Sequence, residues 1–233
     1  MNTQKRQILT SWIYAISILY FSYLMISITL PYTSWEWDVD FLKTKYKIIH
    51  LSYYRLSFYI HIFTSSIILL SGAILFSNYI LKKYKNLHSW IGKVYVGLLL
   101  LFAAPSGLVM AFHANGGSAA KISFIILTLC WWSFTYLGYS CARSKKFNEH
   151  KKWMIRSYAL TLSAISLRVS QMLLSYYFNM DPRIQYILIS WTSWVGNLLI
   201  AECIILYQIN KKSNVLQCVL QTIKSSYQKL SFQ

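Results

Sequence analysis

Six apolar stretches, each about the length that carries a helix across a bilayer, constrain this chain more than anything else in it. They run over 9–30, 57–81, 89–112, 121–142, 153–178 and 184–208. A helix rises about 1.5 Å per residue and a hydrocarbon core is about 30 Å thick, so about 20 apolar residues suffice. In lipid the backbone N–H and C=O groups must bond within their own segment, which makes such a chain all-α. The expectation is an integral membrane six-helix bundle. Composition points the same way: 56% of residues are hydrophobic and 12% charged, where a soluble domain carries about 25% charge.

Four parts follow from this pattern: a first transmembrane helix over 1–30, an outer surface loop over 31–56, a five-helix core over 57–208 and a cytoplasmic tail over 209–233. Lys5 and Arg6 precede the first span, which lacks a small-residue cleavage site and reads as an anchor. Trp35, Trp37, Tyr46, Tyr53 and Tyr54 along the loop are rings suited to the headgroup layer, so the loop is expected to lie on the membrane surface. The tail carries a weak amphipathic pattern.

A formal charge of +17 would suit a nucleic-acid binder, but the 23 Lys and Arg fall in short blocks between the spans. That distribution is an orientation signal, and anionic lipid headgroups are the expected partner in place of nucleic acid. With the N-terminus inside, sixteen basic residues lie on the cytoplasmic side. Six lie outside: Lys43, Lys45, Lys47, Arg55, Lys121 and Arg183. Both termini are therefore expected in the cytoplasm. Cys130, Cys141, Cys203 and Cys218 have no metal-ligand spacing, and no disulfide is expected among them.

Polar side chains within a span need a partner or a purpose. On the fifth span His150, Met154, Ser157, Thr161, Ala164, Arg168 and Gln171 return to one helical face, while Arg156 points elsewhere. Small and hydroxyl residues on such a face suit a packing seam; Arg168, well inside the core, asks for a counter-charge. The sixth span carries Asn197 and Glu202. Glu202 is expected to pair with Arg156, Lys152 or His150.

The third span aligns His88, Gly92, Tyr95, Ser106, Met110 and His113 on one face, and Pro105 is a candidate kink. His88 and His113 fall at opposite membrane surfaces. His61 lies near the outer end of the second span and His150 near the inner end of the fifth. Each leaflet thus holds a potential pair, His61 with His113 outside and His88 with His150 inside. Paired imidazoles on facing helices are how bundles hold the iron of haem b, with Gly92 and Ser157 leaving room on the inner side. The bland alternative is interfacial histidines bonded to water, loops or headgroups. His50 in the outer loop adds nothing specific.

Two stretches resemble a family of predicted bacterial membrane proteins, domain of unknown function 2306. One is Leu87-His88-Ser89-Trp90-Ile91-Gly92-Lys93-Val94-Tyr95; the other runs from His150 through Lys151-Lys152-Trp153-Met154-Ile155-Arg156-Ser157-Tyr158-Ala159-Leu160-Thr161 on to Arg168. The resemblance also takes in His61, Asn115-Gly116-Gly117, Asn197 and Glu202. It implies a six- or seven-helix protein of the bacterial inner membrane and supplies no activity. The segment from Leu87 to Gly92 also resembles one in the diheme, ascorbate-dependent transmembrane cytochromes b. That likeness implies His88 as a haem ligand. Those proteins place one histidine on each of four consecutive helices, whereas here the fourth span has none, so His61, His113 and His150 rest on the leaflet argument alone.

Three readings follow. The first is a transmembrane electron carrier with haem held by His61/His113 and His88/His150. The second is a cofactor-free accessory or scaffold subunit packed on another membrane protein or a second copy. The third is a small-solute or proton-coupled transporter using Arg168, Gln171 and Glu202, although no inverted repeat is visible.

Overall fold

The computed structural model describes residues 20, 23–36 and 39–230, with the backbone alone for 40, 78 and 212–230. Most of the expected first span lies outside the described residues. Its last residues, 23–29, are helical, and Thr29 Oγ1 lies 3.3 Å from Ser66 Oγ of the next span. Thereafter the chain forms α1 (Ser52–Leu75), α2 (Asn78–Lys83), α3 (Lys85–Phe112), α4 (Ser118–Arg143), α5 (Phe147–Thr161), α6 (Ser163–Tyr177) and α7 (Pro182–Leu230). Among the described residues, four helices are long and apolar enough to cross a membrane: α1, α3, α4 and α7 over Pro182–Lys211.

The expected fifth span is two helices. Its chain breaks at Leu162, and neither α5 nor α6 is by itself long enough to be a span. The break has local partners. The Ala159 carbonyl accepts from Asn197 Nδ2 of α7 at 3.0 Å, and the Leu160 carbonyl accepts from the Ser163 hydroxyl. Side chains have replaced two rungs of the backbone ladder, a recognised cause of helix distortion. Two other expectations also shift. The second span, 57–81, divides into α1 and α2, and the polar tail does not part from the sixth span, because α7 continues helical to Leu230.

Helix ends follow local chemistry. Asp181 Oδ1 accepts the N–H groups of Arg183 and Ile184, with Pro182 at the first helical position, a combination that starts α7. Lys145 takes a left-handed φ of 58° after α4, and the N–H groups of Lys145 and Lys146 return to Ala142 and Cys141. That is the Schellman geometry without its usual glycine. Gly116 and Gly117, at φ of 84° and 82°, make the turn from α3 to α4 that an L side chain would resist. Pro105 leaves α3 unbroken; a π turn over Leu99–Ala103 just before it absorbs the missing N–H.

The membrane core gathers Ile68, Leu69, Tyr95, Leu99, Trp131, Tyr158 and Trp194 from α1, α3, α4, α5 and α7. Lipid offers no hydrophobic drive for helices to associate, so close packing and interhelical hydrogen bonds must hold them. The Trp194 indole donates to Ser123, whose hydroxyl donates to the Ser190 carbonyl, tying α4 to α7. A second cluster, Tyr32, Leu42, Ile49, Tyr54, Phe58 and Tyr59, forms around the start of α1. The segment 31–56, expected to lie on the membrane surface, has packing of its own. The segment folds through two 3-10 turns, Leu30–Ser34 and Asp40–Lys45, and buries its apolar residues against the start of α1; Trp35, Tyr46 and Tyr53 stay exposed.

Candidate functional site

The inner histidines begin their helices, His88 in the first turn of α3 and His150 in the first turn of α5. His150 Nδ1 lies 2.8 Å from the Gly138 carbonyl of α4. A carbonyl only accepts, so Nδ1 carries a proton and donates it, leaving Nε2 outside this bond. Gly138 also lets the Met154 side chain of α5 pack close: a Cβ there would lie 2.7 Å from Met154 Sδ. His88 Nδ1 is buried and has no hydrogen-bond partner among the described residues. The two rings lie within electrostatic range of each other.

Deeper in the bundle the seam is closed. Tyr95 Oη lies 3.0 Å from Ser157 Oγ and 3.1 Å from Thr161 Oγ1, Thr135 Oγ1 lies 2.7 Å from Ser157 Oγ, and the Trp131 indole donates to Thr161. Ser157 is wholly buried. The space expected beside Ser157 is therefore filled by the chain's own phenol and hydroxyls, and the packing-seam reading of Ser157 and Thr161 describes what is there. Arg156 turns away from this seam, as its helical angle predicts, and grips Glu202 through Nε–Oε1 at 2.5 Å and Nη2–Oε2 at 2.8 Å. Its guanidinium also lies 4.6 Å from the Trp153 ring centroid. Of the three partners expected for Glu202, the structure selects Arg156.

The outer histidines are not brought together. His61 Nδ1 lies 2.8 Å from the Ala103 carbonyl, and its ring sits against Gly107 and edge-on to Trp131. His113, which caps α3, bonds through Nδ1 to the Val109 carbonyl and through Nε2 to the Tyr53 hydroxyl, with Tyr54 edge-on to the ring. Tyr53 and Tyr54 precede His61 by about two turns of α1, about 10–12 Å along its axis. One iron cannot be shared over that span, so the outer pair expected from the leaflet argument does not form. Among the described residues there is no group of three or more His, Cys, Asp or Glu placed to hold a metal ion.

Arg168 and Gln171 do not continue the buried face. Beyond the break at Leu162 both are exposed; Arg168 Nη1 folds back to the Ala164 carbonyl, and Gln171 offers its carbonyl to Gln185. Asn197 bridges Ala159 and Ser166 Oγ, a positioning role across the break. A polar group that the spacing argument missed surrounds His113. Lys45, only 4% exposed, donates through Nζ to the His113 carbonyl and to Asn115 Oδ1, and Asn115 Nδ2 donates to Thr44. Burial, with Lys121 adding like charge, holds its ammonium down to about 8.

The family model described as a predicted membrane protein, DUF2306, matches residues 58–205. The chain belongs to that family. The match runs from within α1 into α7, and takes in both histidine motifs, the Asn115-Gly116-Gly117 turn and the Arg156–Glu202 pair. No curated protein and no solved structure matches the chain, so the likeness to the diheme cytochromes gains no support.

Proposed function

We propose that this DUF2306 protein is a membrane-embedded electron carrier that holds a single b-type haem iron between His88 and His150 at its cytoplasmic end. One observation carries the reading: two imidazoles from separate helices lie within reach of each other's charge, one with a buried, unpartnered Nδ1. The donor set suits haem iron. Metal-ligating histidines usually tie the other ring nitrogen to a carbonyl or carboxylate, and His150 does so through Gly138. The closed Tyr95–Ser157–Thr135 seam limits the site to the cytoplasmic side of that plug. With His61 and His113 apart, the reading is confined to one leaflet and does not extend to a two-haem path across the membrane.

Haem, when bound, supplies a one-electron centre. The chain's own parts have definable tasks. Gly138 fixes the His150 tautomer and ring plane, and the hydroxyl plug keeps water from the bundle interior. The Arg156–Glu202 pair joins α5 to α7 one to two turns beyond His150. The filled seam also favours a second reading, a cofactor-free accessory subunit whose polar faces are packing surfaces.

Absorption separates the two. Full-length protein purified from haem-sufficient cells should show a Soret band and sharpened visible bands on dithionite reduction. His88→Ala and His150→Ala should each lose the colour, while His61→Ala and His113→Ala keep it. A colourless preparation that also fails to take up added haemin would sink the electron-carrier reading and leave the accessory one.

A further inference from the structure

Lys82, Lys83 and Lys85 stand almost side by side in the chain, and the stretch 76–88 around them contains no acid. All three are exposed, and among the described residues the salt bridges lie elsewhere, at Glu149 and Glu202. Their like charges are concentrated and left without a carboxylate. Lys83 is held in place: its Nζ donates to the Tyr79 hydroxyl at 3.1 Å and lies 5.3 and 5.5 Å from the ring centroids of Tyr79 and Tyr84. Tyr84, at φ −127° and ψ 63°, ends α2 and precedes α3, so the chain turns there and brings the lysines on either side round one hollow. Lys82, Lys83, Tyr84, Lys85, Asn86 and Leu87 line that open cleft, of about 460 Å³.

Charge calls for an anion, and the surroundings of the cleft say which kind. Its rim is apolar: Phe76, Tyr79, Leu81, Leu87 and Trp90 are all exposed. α1 and α3 both have spanning length, so the connection between them meets the bilayer surface. Rings and aliphatic side chains at that level fit the glycerol and acyl chains of a lipid, whereas a site for a free anion has no use for them. Backbone donors add to the lysines. α3 begins with no side-chain cap, and its first backbone bond runs from His88 to the Tyr84 carbonyl, so the N–H groups of Lys85, Asn86 and Leu87 have no helical acceptor. A zwitterionic headgroup would bring its own cation against three ammonium groups. A single phosphodiester would leave part of their charge unmatched.

We infer that this cleft binds the headgroup of an anionic phospholipid with two phosphates, a diphosphatidylglycerol, in the leaflet that meets the connection between α1 and α3. Basic pockets between spanning helices take such headgroups, whose paired phosphates match a cluster of ammonium groups. Lysine suits the task, as a point charge on a long stem that can follow a mobile headgroup. The cleft makes no use of the His88–His150 pair, so either proposal can fail alone.

Native mass spectrometry of the full chain in detergent micelles provides the readout, and it does not depend on which way the protein faces in a cell. Titrated with diphosphatidylglycerol, the protein should retain one lipid saturably. Phosphatidylglycerol at equal total charge should bind more weakly, and phosphatidylcholine should not saturate. Lys82→Gln/Lys83→Gln/Lys85→Gln should weaken binding at least about tenfold, the size of one charge-assisted hydrogen bond. Lys145→Gln/Lys146→Gln/Lys151→Gln removes the same charge around the turn between α4 and α5 and should leave binding unchanged. If the first variant does not insert into the membrane, Lys85→Gln serves in its place, with an expected loss of severalfold. Equal losses in the two triple variants, or none in the first, overturn the site and leave only attraction to net charge. Phosphatidylglycerol binding as tightly at equal charge overturns the two-phosphate headgroup. Displacement by inorganic phosphate overturns the lipid in favour of a small free anion.

Discussion

Lys45 is the residue whose environment departs furthest from what its type leads one to expect. Lysine is almost never fully buried unless paired, and this one is held by two oxygen acceptors, the His113 carbonyl and Asn115 Oδ1, near the ring of Phe41. Burial and Lys121 bring its value from 10.5 down to about 8. Between those two values the folded state has released a proton that the unfolded chain still holds. Stability therefore rises with pH across the window from about 8 to 10.5, and the gain is absent below 8. The melting temperature of the wild type should climb from pH 8 to pH 10 relative to Lys45→Met, measured side by side in detergent. Parallel curves for the two proteins would show that the ammonium is not shielded. Gly138 allows a plainer test. Alanine there would press on Met154 Sδ and shift the carbonyl that fixes His150, so Gly138→Ala should cost about 1–3 kcal/mol, the usual range for overpacking. His113 and Asn115 were visible in the sequence as residues around a helix end. Lys45 was not, because what buries it is a loop folding back across some 70 residues of chain, and no local pattern encodes that.

At the level of elements, the break between α5 and α6 shows where periodicity stops informing. The 3.6-residue pattern places His150, Met154, Ser157 and Thr161 on one face, and that face is the buried seam up to Thr161. It continues on paper through Arg168 and Gln171, yet the helix distorts at Leu162 and the continuation turns outward. No glycine or proline marks the spot. The agents are Ser163, bonding its own preceding turn, and Asn197, reaching in from α7. An interhelical hydrogen bond of this kind is invisible until the two helices are packed. Asn197→Leu leaves the Ala159 carbonyl and Ser166 hydroxyl without that partner, so it should destabilise the protein by about 1–3 kcal/mol. Amide exchange at Leu162 and Ile165, whose N–H groups bond to Tyr158 and Leu162 around the break, should accelerate with it. A variant with wild-type melting and exchange would mean that water replaces the amide there. The turn after α4 offers the opposite sign. Lys145 occupies a left-handed position that glycine adopts without penalty, and Lys145→Gly should stabilise by about 0.5–1 kcal/mol.

For the whole molecule, the direction in which the bundle sits decides which face meets which compartment, and which leaflet each proposed site meets. Among the described residues four helices have the length and apolarity to cross, and α5 and α6, of 15 residues each, are expected to make one further crossing together. Successive crossings then place the 75–85 turn, the 143–147 turn and the end of α7 on one side. The loop before α1, the Asn115-Gly116-Gly117 turn and the turn at Asp181 fall on the other. The first group carries Lys82, Lys83, Lys85, Arg143, Lys145, Lys146, Lys151, Lys152, Lys211 and Lys212. Basic residues on short connections are retained in the cytoplasm, so by that rule His88 and His150 are expected on the cytoplasmic side and Lys45, His113 and Arg183 on the other. A phosphatase reporter active only outside the cytoplasm, fused after Gln233, should be silent, and the same reporter inserted after Asn115 should be active. The reverse pattern would invert the bundle, put the histidine pair outside and move the lysine cleft to the outer leaflet. Exchanging Lys82, Lys83 and Lys85 for glutamine should weaken the orientation measurably, since it removes basic charge from the connection between two of the spans on which the asymmetry rests.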